Sequence, residues 1–270
     1  MCLIVFKYDP DDRRKLIVVA NRDEFLNRPT QRAHFWEDHV GLLAGRDLQE
    51  GGTWMGIHTS GRFAAVTNYR EPGFVKGNVL SRGKLVVDFL SGSTSSESYV
   101  EALQAQYDAY NGFNILVYDG TSLGYASNRS PNPPQLLAPG LYGLSNHLLD
   151  TPWPKVERAK NRLSEALVSD CSSDALGVEG KLLQVLEDES LAPDERLPQT
   201  GVPLELERKL SAMLIKMPEY GTRSTSLVTM YSNNELRLVE KAVCLEAMTS
   251  NYDDSTVQYH IEPRTDNGPF

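Results

Sequence analysis

Apolar residues in this chain come in short runs split by turn-forming residues, and the period of the runs changes along its length. Leu3 to Tyr8 is a predicted strand, closed by the turn-rich Asp9-Pro10-Asp11-Asp12. Leu16-Ile17-Val18-Val19-Ala20 reads as a second buried strand. Trp54–His58 and Phe63–Asn68 fit a hairpin around Thr59-Ser60-Gly61-Arg62, with Gly51-Gly52 leading into it. Further strands are expected at Phe113–Tyr118, Leu123–Ala126, Leu141–Ser145, Ser224–Tyr231, Leu236–Val243 and Val257–Ile261. Ser232-Asn233-Asn234 supplies a turn between two of these.

Helical spacing appears at Lys84–Leu90 and at Ser96–Ala109, where Ser96 is a candidate N-cap. Thr151-Pro152 reads as a cap followed by proline at the first helical position, predicting a helix to about Leu167. Its face carries Val156, Ala159, Leu163 and Leu167. Ser169–Gly177 reads as a polar linker, and Gly180–Leu186 and Leu204–Ile215 as two more helices. Strands and helices come in blocks, not in strict alternation. That order favours antiparallel sheets with helices outside, an α+β fold. With no linker long enough to force a boundary, residues 1–270 are read as one domain.

The hydrophobic share is 40% of 270 residues and 23% are charged, enough to build a sizeable core. The formal net charge of −9 argues against nucleic acid, because phosphate backbones need clustered Lys and Arg. No apolar stretch is long enough to span a bilayer, and the N-terminal run is too short for a signal sequence. A cytoplasmic protein is the expectation, with no signal for organelle association. The three cysteines, Cys2, Cys171 and Cys244, form no CxxC pair, and the five histidines form no HExxH motif. No resident metal or cofactor is therefore called for.

Cys2 is the most informative residue. Removal of Met1 would leave it at the N-terminus, where a free α-amino group can act as general base for the adjacent thiol. A hairpin turning about Asp11-Asp12 pairs residues summing to about 23, which sets Asn21 opposite Cys2. Asn21-Arg22-Asp23-Glu24 would then lie beside the sulfur. A guanidinium there would lower the thiol's pKa and a carboxylate would orient the amino group, making Cys2 more reactive than Cys171 or Cys244. A two-residue uncertainty in register keeps Asn21 and Glu24 as rivals to Arg22 and Asp23.

Met1-Cys2, Asn21-Arg22-Asp23-Glu24, Gly51-Gly52-Thr53-Trp54, Thr67-Asn68-Tyr69, Gly143-Leu144-Ser145-Asn146, Thr151-Pro152-Trp153 and Gly221-Thr222-Arg223 occur in this order. Together they resemble the NRDE family, the transport and Golgi organization protein family, from residue 1 to about 260. More remotely, the chain is similar to the penicillin V acylase and bile-salt hydrolase group. The resemblance implies an N-terminal-nucleophile (Ntn) hydrolase-like fold, a four-layer αββα sandwich of two antiparallel sheets between helical layers. It also implies roles: Cys2 as nucleophile, Arg22 as nearby guanidinium, Asp23 on the amino group, Asn68 and Asn146 as oxyanion and amine contacts, and Arg223 on a charged floor.

Trp54 and His147 join Asn21 and Glu24 as candidate ligand contacts. The order Asn21-Arg22-Asp23-Glu24 departs from the Arg-Asn-x-Asp order of the remote group. In function, the resemblance implies handling of a small amphipathic cargo, haem or acyl-CoA, with links to lipid metabolism. The alternative is a Cys2-dependent hydrolase of amide or thioester substrates.

Overall fold

The computed structural model describes residues 2–74, 76–168, 175–243 and 256–262. The first apolar run forms β1 (Cys2–Tyr8) and the second forms β2 (Arg14–Phe25), which runs on through the whole Asn21–Glu24 tetrapeptide. β1 and β2 sit inside a six-stranded sheet. β10 (Gly140–Leu144) flanks β1, and β11 (Tyr220–Tyr231), β12 (Leu236–Ala242) and β13 (Thr256–Ile261) follow β2. A seven-stranded sheet holds β3 (Thr30–Phe35), β4 (Leu42–Asp47), β5 (Met55–His58), β6 (Arg62–Asn68), β7 (Phe113–Tyr118), β8 (Leu123–Ser127) and β9 (Gln135–Leu136) in sequence order. Every pairing in both sheets is antiparallel.

Alternation along β1 and β2 explains the stacking. Ile4, Phe6, Leu16, Val18 and Ala20 meet Ile57, Phe63, Ala65 and Leu116 of the other sheet in a core between the two. Leu3, Val5, Ile17 and Val19 point the other way, under α3 (Pro154–Val168) and α4 (Ala175–Leu183). The far face of the seven-stranded sheet buries Ala64, Val66 and Ile115 under α1 (Gly83–Ser91) and α2 (Ser96–Leu103). The order of layers is helix, sheet, sheet, helix. This is the expected α+β sandwich. A short α5 (Leu204–Leu210) precedes β11 in the chain.

Several local expectations are corrected. Ser95, not Ser96, caps α2, its hydroxyl accepting from the Ser98 amide. The Ser96 hydroxyl donates to carbonyls of Val117 and Ser122 instead. The third helix starts at Pro154, because the Thr151 hydroxyl is already bonded to the Leu148 carbonyl and to His147. The helix expected to reach Ile215 ends at Leu210. Of the predicted linker, 169–174 lies outside the described residues, and α4 begins at Ala175. No helix among the described residues is long and apolar enough to cross a membrane.

Candidate active site

The β1–β2 register places Arg22, not Asn21, opposite Cys2, and Asn21 opposite Leu3. The turn centres on Asp12: Tyr8 pairs with Leu16, and the Asp9 amide donates to the Lys15 carbonyl. One residue of slip reverses every facing. Cys2, Arg22 and Glu24 therefore lie on the intersheet side, while Asn21 and Asp23 face the helices.

Asn21 is fully buried there, its amide donating to the carbonyls of Leu186 (3.2 Å) and Met213 (2.9 Å). Its side-chain oxygen accepts from the Thr225 hydroxyl at 2.7 Å. Asp23, also buried, accepts from the Thr222 hydroxyl at 2.7 Å, and burial pushes its carboxyl up against the opposing charge of Lys155. Lys155 is itself buried, and burial with the nearby Arg70 charge lowers it to about 8. This cationic layer behind Cys2 carries no sequence motif apart from the helix start beside it.

Cys2 opens at the base of a cleft of about 1070 Å³ between the ends of the two sheets. Of the candidates, Arg22, Asp23, Glu24, Trp54, Asn68 and Arg223 line it with Cys2, while Asn21, Asn146 and His147 do not. The β1–β10 register, Ile4↔Leu144, brings Ser145 and Asn146 to the Cys2 end of β1, where the Ser145 hydroxyl donates to the Cys2 carbonyl (3.1 Å). Asn146 is fully buried and its amide donates to the Asn68 carbonyl (3.1 Å), so it braces the strand end that carries Asn68. His147 lies between the Tyr69 hydroxyl (2.7 Å) and Thr151 (2.8 Å). Because the Thr151 hydroxyl donates to Leu148, His147 Nδ1 must be the donor to Thr151 and Nε2 the acceptor from Tyr69. His147 thus ties the two asparagine-bearing segments together.

Arg223 is the bulged residue between Thr222 and Ser224, and its Nη1 donates to the carbonyls of Phe25, Leu26 and Arg28 at 2.8–3.0 Å. It clamps the turn after β2. Arg82, at the N-cap of α1, also lines the cleft, with Nη1 donating to the Gly112 carbonyl (3.0 Å). Its place depends on Gly51-Gly52-Thr53-Trp54. A Cβ on Gly52 would sit 2.8 Å from the Gly83 backbone, so only glycine lets this loop close on the helix start. Arg82 belongs to none of the sequence motifs; the Gly52–Gly83 contact that places it is tertiary.

Burial pushes the Cys2 thiol up, Asp23 adding to this and Arg22 opposing it. That corrects the expectation that the guanidinium would dominate: desolvation is the larger effect. Alkylation of Cys2 is accordingly expected to be slow at neutral pH and to climb only in alkaline solution, as followed by mass-mapped iodoacetamide labelling. A rate already at its plateau at neutral pH would contradict this. Cys171 and Cys244 lie outside the described residues. Among the described residues, no group of His, Cys, Asp or Glu is arranged to hold a metal ion.

A family model described as Transport and Golgi organisation 2 matches residues 1–244. The chain belongs to that family. The Transport and Golgi organization protein 2 homologue of Bos taurus is 35% identical over 97% of this chain and 100% of its own length. The human homologue is 34% identical over the same shares. The Drosophila melanogaster Transport and Golgi organization protein 2 is 28% identical over 90% of this chain and 92% of its own. Among solved structures, the C2A mutant of the conjugated bile acid hydrolase from Clostridium perfringens superposes with a TM-score of 0.51 and 10% identity. That likeness covers 97% of this chain and 92% of the hydrolase, and it shows a shared Ntn-hydrolase-like fold. In this chain Cys2 and Arg22 meet in the cleft, and Asn21 secures the helical layer behind it.

Proposed function

We propose that this protein handles an amphipathic, anionic small molecule in the Cys2 cleft, with acyl-CoA and haem as the candidate cargoes. The observation that carries the reading is the cleft itself. At about 1070 Å³ it is at the upper end of ordinary small-molecule sites, and it joins guanidinium groups near the thiol to apolar Leu26, Val79 and Leu80. A charged head and an apolar body suit such a surface. The family's name supports transport only in a broad sense.

Hydrolysis at Cys2 is the second reading, favoured by the register that sets the thiol against Arg22 with Asn68 on the same wall. In that chemistry the Cys2 thiolate attacks a thioester or amide carbonyl, forming an S–C bond and an oxyanion held by amide donors. Collapse breaks the bond to the leaving thiol or amine, which takes up a proton. Water then cleaves the acyl-enzyme, releasing the acid and restoring the thiol.

Titration of the purified chain with haem, by absorbance, and with palmitoyl-CoA, by fluorescence competition, tests the first reading. Cys2→Ser is expected to leave affinity within about twofold, since a carrier needs the shape and charge of the cleft and not the sulfur. Failure of both ligands to bind would end the cargo reading. Product release by the Met1-processed wild type but not by Cys2→Ser would replace it with the hydrolase.

A further inference from the structure

We propose that Arg22 and Arg82 form a two-guanidinium seat for the head group of the ligand, a carboxylate or a phosphate, beside the Cys2 thiol. This deepens the cargo reading, on which it rests, by stating which end of the ligand enters first.

The two arginines differ from Arg28, Arg32 and Arg46, which also line the cleft but each lie against a carboxylate. Arg22 Nη1 donates to the hydroxyl of Thr30 (3.0 Å), and Arg82 Nη1 to the carbonyl of Gly112 (3.0 Å). Both acceptors are neutral, and neither guanidinium forms an ion pair among the described residues. Of the carboxylates that line the cleft, all but Glu50 already accept a hydrogen bond. Asp47 accepts from Arg28 at 2.6 Å, and Glu24 accepts from the Phe25 amide with Arg28 at 4.0 Å. Glu240 accepts from the Ala33 amide and lies 3.8 Å from Arg32. Asp23, at the cleft's edge behind Cys2, accepts from the Thr222 hydroxyl.

Position is fixed on both sides. Arg22 is held by the ladder pairs to Cys2 and Ser224, and Arg82 by the glycine contact that seats the start of α1. A planar fork held in this way binds a carboxylate or phosphate with little loss of side-chain freedom. Burial pushes Arg82 below the ordinary guanidinium value, so an incoming anion would restore charge compensation that desolvation has removed. Leu26, Val79 and Leu80 then take the apolar body.

The test uses the full chain and three probes with one tail: dodecanoate, dodecyl phosphate and dodecanol, titrated by calorimetry. At least one charged probe is expected to bind about tenfold to a hundredfold tighter than dodecanol, the worth of a charge-assisted contact. The stronger of the two identifies carboxylate or phosphate as the head group. Arg82→Gln and Arg22→Gln are each expected to erase most of that preference while leaving dodecanol affinity near its wild-type value.

Equal affinity for all three probes on the wild-type chain would overturn the seat while leaving the cleft as an apolar binding site. The same holds if both variants keep the preference. If no probe binds at all, the seat falls together with the cargo reading. The wild-type comparison decides even if a variant fails to fold.

Discussion

Glu207→Ala is expected to lower the stability of the fold by about 3–5 kcal/mol, because it strands a buried guanidinium. Glu207 on α5 accepts from Arg70 Nη1 at 3.0 and 3.1 Å and from the Thr200 hydroxyl at 3.1 Å. The two side chains are 6% and 3% exposed, so water cannot take over when one is removed. Arg70 has little else to hold it. Its Nε and Nη2 are buried without a hydrogen-bond partner, and its guanidinium lies 4.9 Å over the Trp153 ring. Lys155 is buried nearby and already disfavoured by the Arg70 charge.

Removing the carboxylate leaves two cations facing Asp23 alone. Urea denaturation should show a lower midpoint with an unchanged slope. The double variant Arg70→Met, Glu207→Leu should recover much of the loss, since it removes the charge together with its partner. A Glu207→Ala midpoint close to wild type would mean that the pair is solvated in solution.

The sequence was most legible where apolar runs were continuous. β1, β6, β7 and β8 lie within a residue or two of their expected ends, since their side chains fill both faces of a buried sheet. β3 was missed because it is an edge strand, and Thr30–Phe35 buries only Ala33. Nothing in TQRAHF announces a strand until β4 is beside it. The hairpin arithmetic failed by one residue, as a turn of Asp and Pro tolerates either centre, and that slip was enough to exchange Asn21 and Arg22 between faces.

The motifs gather at one end of the sandwich, but their side chains make different contacts there. Asn146 and His147 proved to be braces behind the wall, and Arg223 a clamp on three carbonyls. Arg82 was invisible because a contact between two glycines thirty-one residues apart in the chain, Gly52 and Gly83, sets its place.

Asn21→Ala is expected to cost about 2–5 kcal/mol, from buried groups left without partners. The side chain is 0% exposed and joins three points on three segments: the Leu186 carbonyl, the Met213 carbonyl and the Thr225 hydroxyl of β11. These bonds pin the connection after α4 and the segment after α5 onto the six-stranded sheet. Alanine leaves a hole and three unsatisfied polar groups where water has no ready access. Asn21→Asp should be no milder. It keeps an acceptor for Thr225 but turns a carboxylate oxygen toward two carbonyls that need a donor.

The facing of Asn21 separates this structural role from a catalytic one. It lies on the helical side of β2 and outside the cleft, so below its lowered melting temperature the variant should bind cleft ligands as the wild type does. Thermal denaturation and ligand titration at low temperature check the two halves separately. Normal stability with lost binding would place Asn21 in the cleft and refute the β1–β2 register described here.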